Sequence, residues 1–237
     1  MNDSELSLTE HLEHLRLALF KSGIGMVAGI ILCYYFSDQI IHYIQVPLFK
    51  ALPPDQQKLY FTSPLEKFLV FVKVAVVGGI SLSLPLILYQ LWNFVAPGLY
   101  QKEKNFALPF MIGGTILFFS GTSFAYFIVI PEGLKFLMTL GGSTDGAIIT
   151  YSAYVNVLLM MMLVMGGAFQ VPLIIILGVA TGLINVQKLK KARPYVYVFL
   201  SVGSALLTPP DPFTMLAMFI PTTILYELTL FFVSWKK

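Results

Sequence analysis

Long apolar runs separated by short polar segments make up most of this chain. They cover about residues 15–36, 68–94, 106–130, 154–180, 195–207 and 213–233. A helix needs about 20 apolar residues to cross the roughly 30 Å hydrocarbon layer of a bilayer, and every run but the fifth reaches that length. The fifth has only 13 residues before the turn at 208–212. The pattern predicts an all-α integral membrane protein whose single domain, residues 1–237, contains six transmembrane helices, the fifth of them short.

The composition narrows the class of protein further. Apolar residues make up 57% of the 237 positions and charged residues 11%, which leaves too few polar groups to cover a soluble domain of this size. The 15 Lys and Arg residues are scattered along the chain, which argues against a nucleic-acid surface. Walker A, G-x-G-x-x-G, G-x-S-x-G and C-x-x-C strings do not occur. We therefore expect neither an enzyme nor a bound cofactor or metal.

Lys and Arg are divided unequally between the two sides that six spans create. With the amino terminus in the cytoplasm, ten of them lie inside: Arg16, Lys21, Lys102, Lys104, Lys188, Lys190, Lys191, Arg193, Lys236 and Lys237. The four outside are Lys50, Lys58, Lys67 and Lys135. Lys73 lies within the second span, from which its ammonium can reach the interface by snorkelling. Because basic short loops stay in the cytoplasm, both termini are predicted to be cytoplasmic.

Residues 1–21 predict an amphipathic helix on the cytoplasmic membrane surface. Ser7 and Glu10 have the spacing of a capping box, in which both side chains satisfy free amides at a helix start. Leucines then form one stripe, at positions 8, 12, 15 and 19. From these residues alone, a functional role and simple anchoring of the first span are equally supported.

Breaks in the apolar runs predict the shape of the bundle. Residues 37–67 and 131–153 are long outer connections whose apolar and aromatic members predict a structured extracytoplasmic cap. Pro85 and Pro172 fall inside spans two and four, where each removes a backbone hydrogen bond and favours a kink. We therefore expect a kinked bundle with a concave side.

Smaller signals mark a helix start and helix contacts. Asp211 followed by Pro212 is typical of an N-cap and a first helical residue. Gly25 to Gly29 and Gly178 to Gly182 have the small-xxx-small spacing that lets membrane helices approach closely.

Two polar side chains lie within the spans. Gln170, near the middle of span four, must pair with a neighbouring helix of the same chain or with a transmembrane partner, and the residue alone leaves these alternatives equal. Glu227, in the inner half of span six, must be protonated, paired or facing water. It is therefore a candidate functional residue.

Six strings, taken together, resemble the TatC family, the polytopic subunit of the twin-arginine protein translocase. They follow one another along the whole chain: HLEHLR at 11–16, YQLWNFVAPGLY at 89–100 followed by Glu103, FAYF at 124–127, FQVP at 169–172, KARPY at 191–195 and LTPPD at 207–211. Each string is modest alone, but six in order on a six-span pattern are specific.

The resemblance implies a function and its partners. It implies a receptor in the bacterial cytoplasmic (inner) membrane that binds the twin-arginine signals of folded cargo. It also implies recruitment of the single-span proteins TatA and TatB for transport driven by the proton-motive force, while self-association stays open. The signal-binding residues are then Glu103, Glu13, Glu10, His14, Arg16 and Phe94, and the structural motif residues are Pro47, Pro85, Pro172, Pro209, Pro210 and Asp211.

Two positions depart from the family pattern, and two other functions compete with it. The amino-terminal string usually reads HLxELR, but His14 occupies the position of the acid and Glu13 precedes it. Gln170 stands where the family commonly has Glu, and an amide cannot ionise. A secondary transporter of small solutes would be expected to contain paired broken helices. An intramembrane enzyme would need a nucleophile or metal string.

Overall fold

The computed structural model describes residues 8–52, 57–95, 107–139 and 148–235. These residues form ten α-helices: α1 (Leu8–Tyr35), α2 (Ser37–Ala51), α3 (Pro64–Val95), α4 (Ala107–Phe124), α5 (Ile130–Thr139), α6 (Tyr151–Ala168), α7 (Val171–Ala180), α8 (Val186–Lys191), α9 (Arg193–Leu207) and α10 (Pro212–Trp235). A π-helical turn, Ala125–Val129, joins α4 to α5. The prediction of an all-helical protein is confirmed for this part of the chain.

Five helical segments of the described chain are long and apolar enough to cross a membrane: Leu15–Tyr35, Pro64–Val95, Ala107–Thr139, Tyr151–Ala180 and Pro212–Trp235. They coincide with five of the six predicted spans. Helix α9 coincides with the remaining predicted span, the fifth, and its 15 residues are the short element that the sequence predicts.

Two boundaries differ from the sequence prediction. The third apolar segment does not end at residue 130, because the π-helical turn and α5 continue it to Thr139. Part of the predicted 131–153 connection is therefore helical. The fourth segment is interrupted at residues 169–170, which keep right-handed helical dihedrals: α6 ends at Ala168 and α7 begins at Val171, with Pro172 in its first turn.

Helices α1 and α3 pack closely through glycines. A Cβ atom added to Gly29 would lie 2.8 Å from the carbonyl oxygen of Gly79, and one added to Gly79 would lie 2.5 Å from the amide nitrogen of Ile30. The two backbones therefore touch, as the spacing of Gly25 and Gly29 predicts. The second glycine pair has a different role. Gly182, with φ of 73°, ends α7 and donates its amide to the Val179 carbonyl at 3.1 Å.

The main apolar core follows α6 along nearly its whole length. Its buried members come from α2, α3, α5, α6, α10 and the π-helical turn, and they include Leu48, Val70, Val129, Leu158 and Met161. Beside this core, an open groove of about 400 Å³ runs between α1, α2, α3, α4 and α6. The concave side predicted for the bundle stays a prediction.

The two predicted outer connections meet each other, which gives the cap a defined structure. Tyr60 and Thr150 form an isolated parallel β-bridge. The buried carboxylate of Glu66 accepts hydrogen bonds from the Thr62 amide at 2.6 Å and from the Ser152 amide at 2.8 Å. Because Thr62 and Ser152 belong to different connections, Glu66 joins them directly.

The turn between α9 and α10 is held by its own side chains and by α5. Asp211 accepts a hydrogen bond from the Thr214 amide at 2.7 Å, which is the predicted N-cap, and Pro212 is the first helical residue. Gly133 of α5 lies directly against the Thr214 side chain, since an added Cβ would be 2.8 Å from Thr214 Cγ2. Helix α5 therefore packs against the start of α10 beside the turn, while Pro210 stays exposed.

Candidate functional site

The predicted amino-terminal site residues lie at the end of the bundle opposite the cap. Contacts of Gly25 with Leu86 and of Gly29 with Gly79 show that α1 and α3 run antiparallel. Continuing that register along α1 brings Arg16 level with Phe94, near the end of α3. Glu13 and Arg16 are exposed there, and Phe94 is half-buried. The fold thus brings three of the predicted residues to one end of the α1 and α3 pair.

The remaining predicted signal-binding residues have no described geometry. Glu103 belongs to the connection of residues 96–106, which lies outside the described residues. The side chains of Glu10 and His14 also lie outside them, although both positions belong to α1. The chain leaves α3 at Val95 and enters α4 at Ala107, so the connection that carries Glu103 starts at the end occupied by Phe94.

Gln170 lies at the break between α6 and α7. Pro172 has no amide hydrogen to donate to the carbonyl of Ala168, so the helix cannot continue unchanged through this point. The Gln170 side chain turns to α4, where Nε2 donates to the Gly114 carbonyl at 2.9 Å. A larger residue at Gly114 would displace the Leu88 side chain, because an added Cβ would lie 2.6 Å from Leu88 Cδ1. One end of the amide is therefore paired within the chain.

The other end of that amide is buried without a hydrogen-bond partner among the described residues. Gln170 Oε1 has no partner there, and neither has the indole nitrogen of Trp92. Trp92 belongs to a small apolar cluster with Leu88, Phe110 and Leu173. A buried polar atom without a partner is costly, and a bound group that donates a hydrogen bond would remove that cost. The sequence left open whether Gln170 pairs within the chain or with a partner. The geometry is compatible with both, since Nε2 is bonded within the chain and Oε1 is left for a partner.

Of the three states expected for Glu227, protonated, paired or facing water, the structure shows the paired one. Its carboxylate accepts a hydrogen bond from Arg193 Nη2 at 2.7 Å and another from the Tyr197 hydroxyl at 2.5 Å. Both donors lie on α9, one helical turn apart. The neighbouring Tyr226 hydroxyl donates to the Leu189 carbonyl of α8 at 3.0 Å. Glu227 therefore fastens α9 to α10 in a half-exposed position.

The sequence reasoning missed these partners although signals for them were present. Arg193 and Tyr197 are four residues apart, the spacing that places two side chains on one helix face. Glu66 was missed because an acid at the start of an apolar run resembles an ordinary surface residue. Its burial depends on Ser152, which is 86 positions away.

The predicted motif prolines fall at different structural places. Pro47 and Pro85 lie inside α2 and α3, and Pro172 lies in the first turn of α7. Pro209 and Pro210 form the turn before α10, where the Pro209 carbonyl accepts from the Asp211 amide at 2.7 Å.

Five apolar segments of spanning length, joined at one end by packed connections, define a polytopic α-helical membrane protein. Residues 10–221 match the family described as Sec-independent protein translocase protein (TatC). Relatives with that description include one from Magnetococcus marinus, 36% identical over 97% of this chain and 84% of the relative, and one from Desulforapulum autotrophicum, 38% identical over 94% and 82%.

A solved structure agrees with the sequence relatives. The crystal structure described as the twin arginine translocase receptor TatC in DDM superimposes with a TM-score of 0.84, at 32% identity over 94% of this chain and 99% of that one. The chain belongs to the TatC family of protein translocases and is an integral membrane protein. Membership of this family is favoured over the two competing interpretations of the sequence, a small-solute transporter and an intramembrane enzyme.

Proposed function

We propose that this chain is the signal-peptide receptor of a twin-arginine translocase in a bacterial cytoplasmic membrane. It binds the paired arginines of signals on folded proteins, recruits TatA-like and TatB-like single-span subunits, and supports transport driven by the proton-motive force. The observation that carries the proposal is the match of 94% of the chain to a structure described as the twin arginine translocase receptor.

The proposed topology has six spans with both termini in the cytoplasm. Helix α9 is the fifth span, since 15 residues give about 22 Å of helix and its exposed apolar side chains are spaced like one lipid-facing stripe. That stripe consists of Tyr195, Val198, Phe199, Val202 and Leu206. The excess of Lys and Arg at the proposed inner ends supports the orientation.

Glu103 is the proposed acceptor for the signal arginines. A guanidinium donates two parallel hydrogen bonds to one carboxylate, whereas a lysine ammonium offers a compact point charge, so a carboxylate can select arginine over lysine. The exposed carboxylate of Glu13 is the candidate for the second arginine, because its helix reaches the level of Phe94 where the Glu103 connection begins. Glu10 and His14 belong to the same helix and complete the proposed site with Arg16.

Binding of a twin-arginine peptide to the purified chain tests the proposal. The twin-arginine peptide should bind more tightly than its Lys-Lys counterpart. Glu103→Gln keeps the side-chain size but removes the charge, so affinity should fall by about tenfold or more, as expected for a charge-assisted bond of about 1.5 to 3 kcal/mol. Glu132→Gln is the matched control, since this acid is exposed and already paired with Lys135.

Two results would contradict the proposal in different ways. Equal affinity for the two peptides would argue against a twin-arginine receptor. A preference for arginine that survives Glu103→Gln in folded protein would keep the function and remove Glu103 from the site.

A further inference from the structure

Lys73, Asn156 and Ser152 form a polar ladder on the surface between α3 and α6. Lys73 Nζ donates to Asn156 Oδ1 at 2.8 Å, and Asn156 Nδ2 donates to Ser152 Oγ at 3.3 Å. Lys73 and Asn156 are both exposed. The lysine is therefore held in place by a neutral group at the outer surface of a membrane bundle.

The charge of Lys73 is not neutralised within the described residues. The ion pairs found there are Lys135 with Glu132 and Arg193 with Glu227. Glu66 is linked to the ladder through the Ser152 amide, but its oxygens are occupied by Thr62 and Ser152. Of the three donors on the ammonium, one is used by Asn156. The ladder thus presents a positive charge with spare donors, and the Asn156 amide and Ser152 hydroxyl add further ones.

The surroundings of the ladder are apolar and exposed. Leu69 lies one turn from Lys73 toward the cap, and Met160 lies one turn deeper than Asn156, and both are exposed. Lys73 is five residues inside the apolar run that begins at Phe68, about 7.5 Å along the helix, so its ammonium can reach the headgroup layer. A ligand that fits must therefore carry an anion at the membrane surface and apolar chains beside it.

We propose that the ladder of Lys73, Asn156 and Ser152 binds the phosphate of a membrane phospholipid. The phosphate oxygens accept from the ammonium and from the spare amide and hydroxyl donors, and the acyl chains extend deeper into the bilayer along Met160. A phosphate suits the ladder better than the carboxylate of a partner helix, because the donors come from three side chains on two helices and a phosphate offers more acceptor oxygens. This inference does not depend on the proposed receptor function, since phospholipids are present on both sides of the membrane.

Lipid retention by the full chain tests the site. The protein is delipidated in detergent and titrated with phosphatidylglycerol, and bound lipids are counted by native mass spectrometry. Lys73→Met keeps the length of the stem and removes the charge, so the apparent affinity for one lipid should fall about tenfold, equivalent to about 1.4 kcal/mol. Lys73→Arg should retain the lipid, and Asn156→Leu should weaken it. Lys135→Met, at the same end of the bundle and already ion-paired, should change nothing.

Unchanged lipid binding in both Lys73→Met and Asn156→Leu would overturn the proposal. Two variants are used so that the conclusion does not depend on the folding of a single one. Inorganic phosphate at millimolar concentration should not displace the lipid, and displacement would show a free-anion site instead. Crosslinking of a cysteine at position 73 to an acidic segment of a partner subunit, with lipid retention unaffected, would also overturn it.

Discussion

Pro47 leaves a carbonyl free in α2, and a distant tyrosine takes it. Because proline has no amide hydrogen, the carbonyl of Tyr43 has no donor four residues further along the helix. The Tyr126 hydroxyl, from the π-helical turn, donates to this carbonyl at 2.6 Å. Two neighbouring contacts hold the same stretch of α2, from Tyr154 to the Ile44 carbonyl and from Gln45 to the Tyr151 hydroxyl. The carbonyl freed by the proline thereby couples α2 to the π-helical turn that follows α4.

Tyr126→Phe should destabilise the protein by about 1 kcal/mol, the net value of one hydrogen bond. In a Pro47→Ala background the new amide can donate to Tyr43, so the same substitution should cost less. Thermal unfolding in detergent of the two single variants and the double variant gives the coupling. Tyr195→Phe is the control, since Tyr195 is exposed. Equal costs of Tyr126→Phe in both backgrounds would show that the proline and the tyrosine act independently.

Gln170 should pair with a subunit or signal through Oε1 while Nε2 stays bonded to Gly114. Gln170→Leu removes the hydrogen bonds of both Oε1 and Nε2. Because an interhelical hydrogen bond in a membrane is worth about 0.6 kcal/mol and at most about 1.7, partner capture should weaken without unfolding of the bundle. A photocrosslinker at position 170 should reach another chain during active transport. Crosslinks confined to α4 of the same chain would assign Gln170 a purely internal role.

At the scale of elements, the contact between α1 and α3 depends on two glycines. Gly29→Ala places a methyl group 2.8 Å from the Gly79 carbonyl, so the helices must separate, at a cost of about 1 to 3 kcal/mol for overpacking. Gly23→Ala is a matched control on the same helix, because an added Cβ there meets nothing within 4 Å. Unfolding in detergent measures both. Similar stabilities of the two variants would mean that α1 can shift without penalty.

The turn of residues 208–212 should lie below the outer membrane surface. Helix α9 falls short of the roughly 30 Å hydrocarbon layer by about 8 to 10 Å, and α5 covers the start of α10 through Gly133. In a Cys33→Ala background, a membrane-impermeant thiol reagent should label Pro210→Cys more slowly than Lys58→Cys. Equal labelling rates would place the turn at the aqueous surface.

At the scale of the whole molecule, the topology predicts opposite accessibility for the two ends of the bundle. Lys58 precedes the Tyr60 and Thr150 bridge at the cap, whereas Ser234 lies in the last turn of α10. In intact cells a membrane-impermeant reagent should label Lys58→Cys and spare Ser234→Cys, and in inverted vesicles the pattern should reverse. Labelling of both positions from one side would contradict the proposed six spans.

The sequence predicted the membrane class and the long apolar helices, but it assigned α2 and most of α5 to outer connections, and parts of the candidate site escaped it. Span lengths follow from the number of consecutive apolar residues, which is a property of the chain alone. Pro172 predicts that the helix is disturbed near Gln170, but a proline shows where a hydrogen bond is lost and not which groups compensate for it. The pairing of Glu227 was left open, since its position allowed a protonated, a paired and a hydrated state, and the spacing of Arg193 and Tyr197 shows a shared helix face but not which acid it meets.

The chain by itself determined which long segments can span a bilayer, since this depends on the number of consecutive apolar residues and on backbone hydrogen bonds made within each segment. Asp211 capped α10 as expected because the cap and its amide are three residues apart. Only the tertiary structure decided which distant groups meet: Tyr126 with the carbonyl freed by Pro47, and Gln170 with Gly114. These contacts join positions 56 to 83 residues apart. They depend on the rotation and translation of the helices relative to one another. Close packing of side chains fixes both, and the pattern of apolar residues along the chain does not show them.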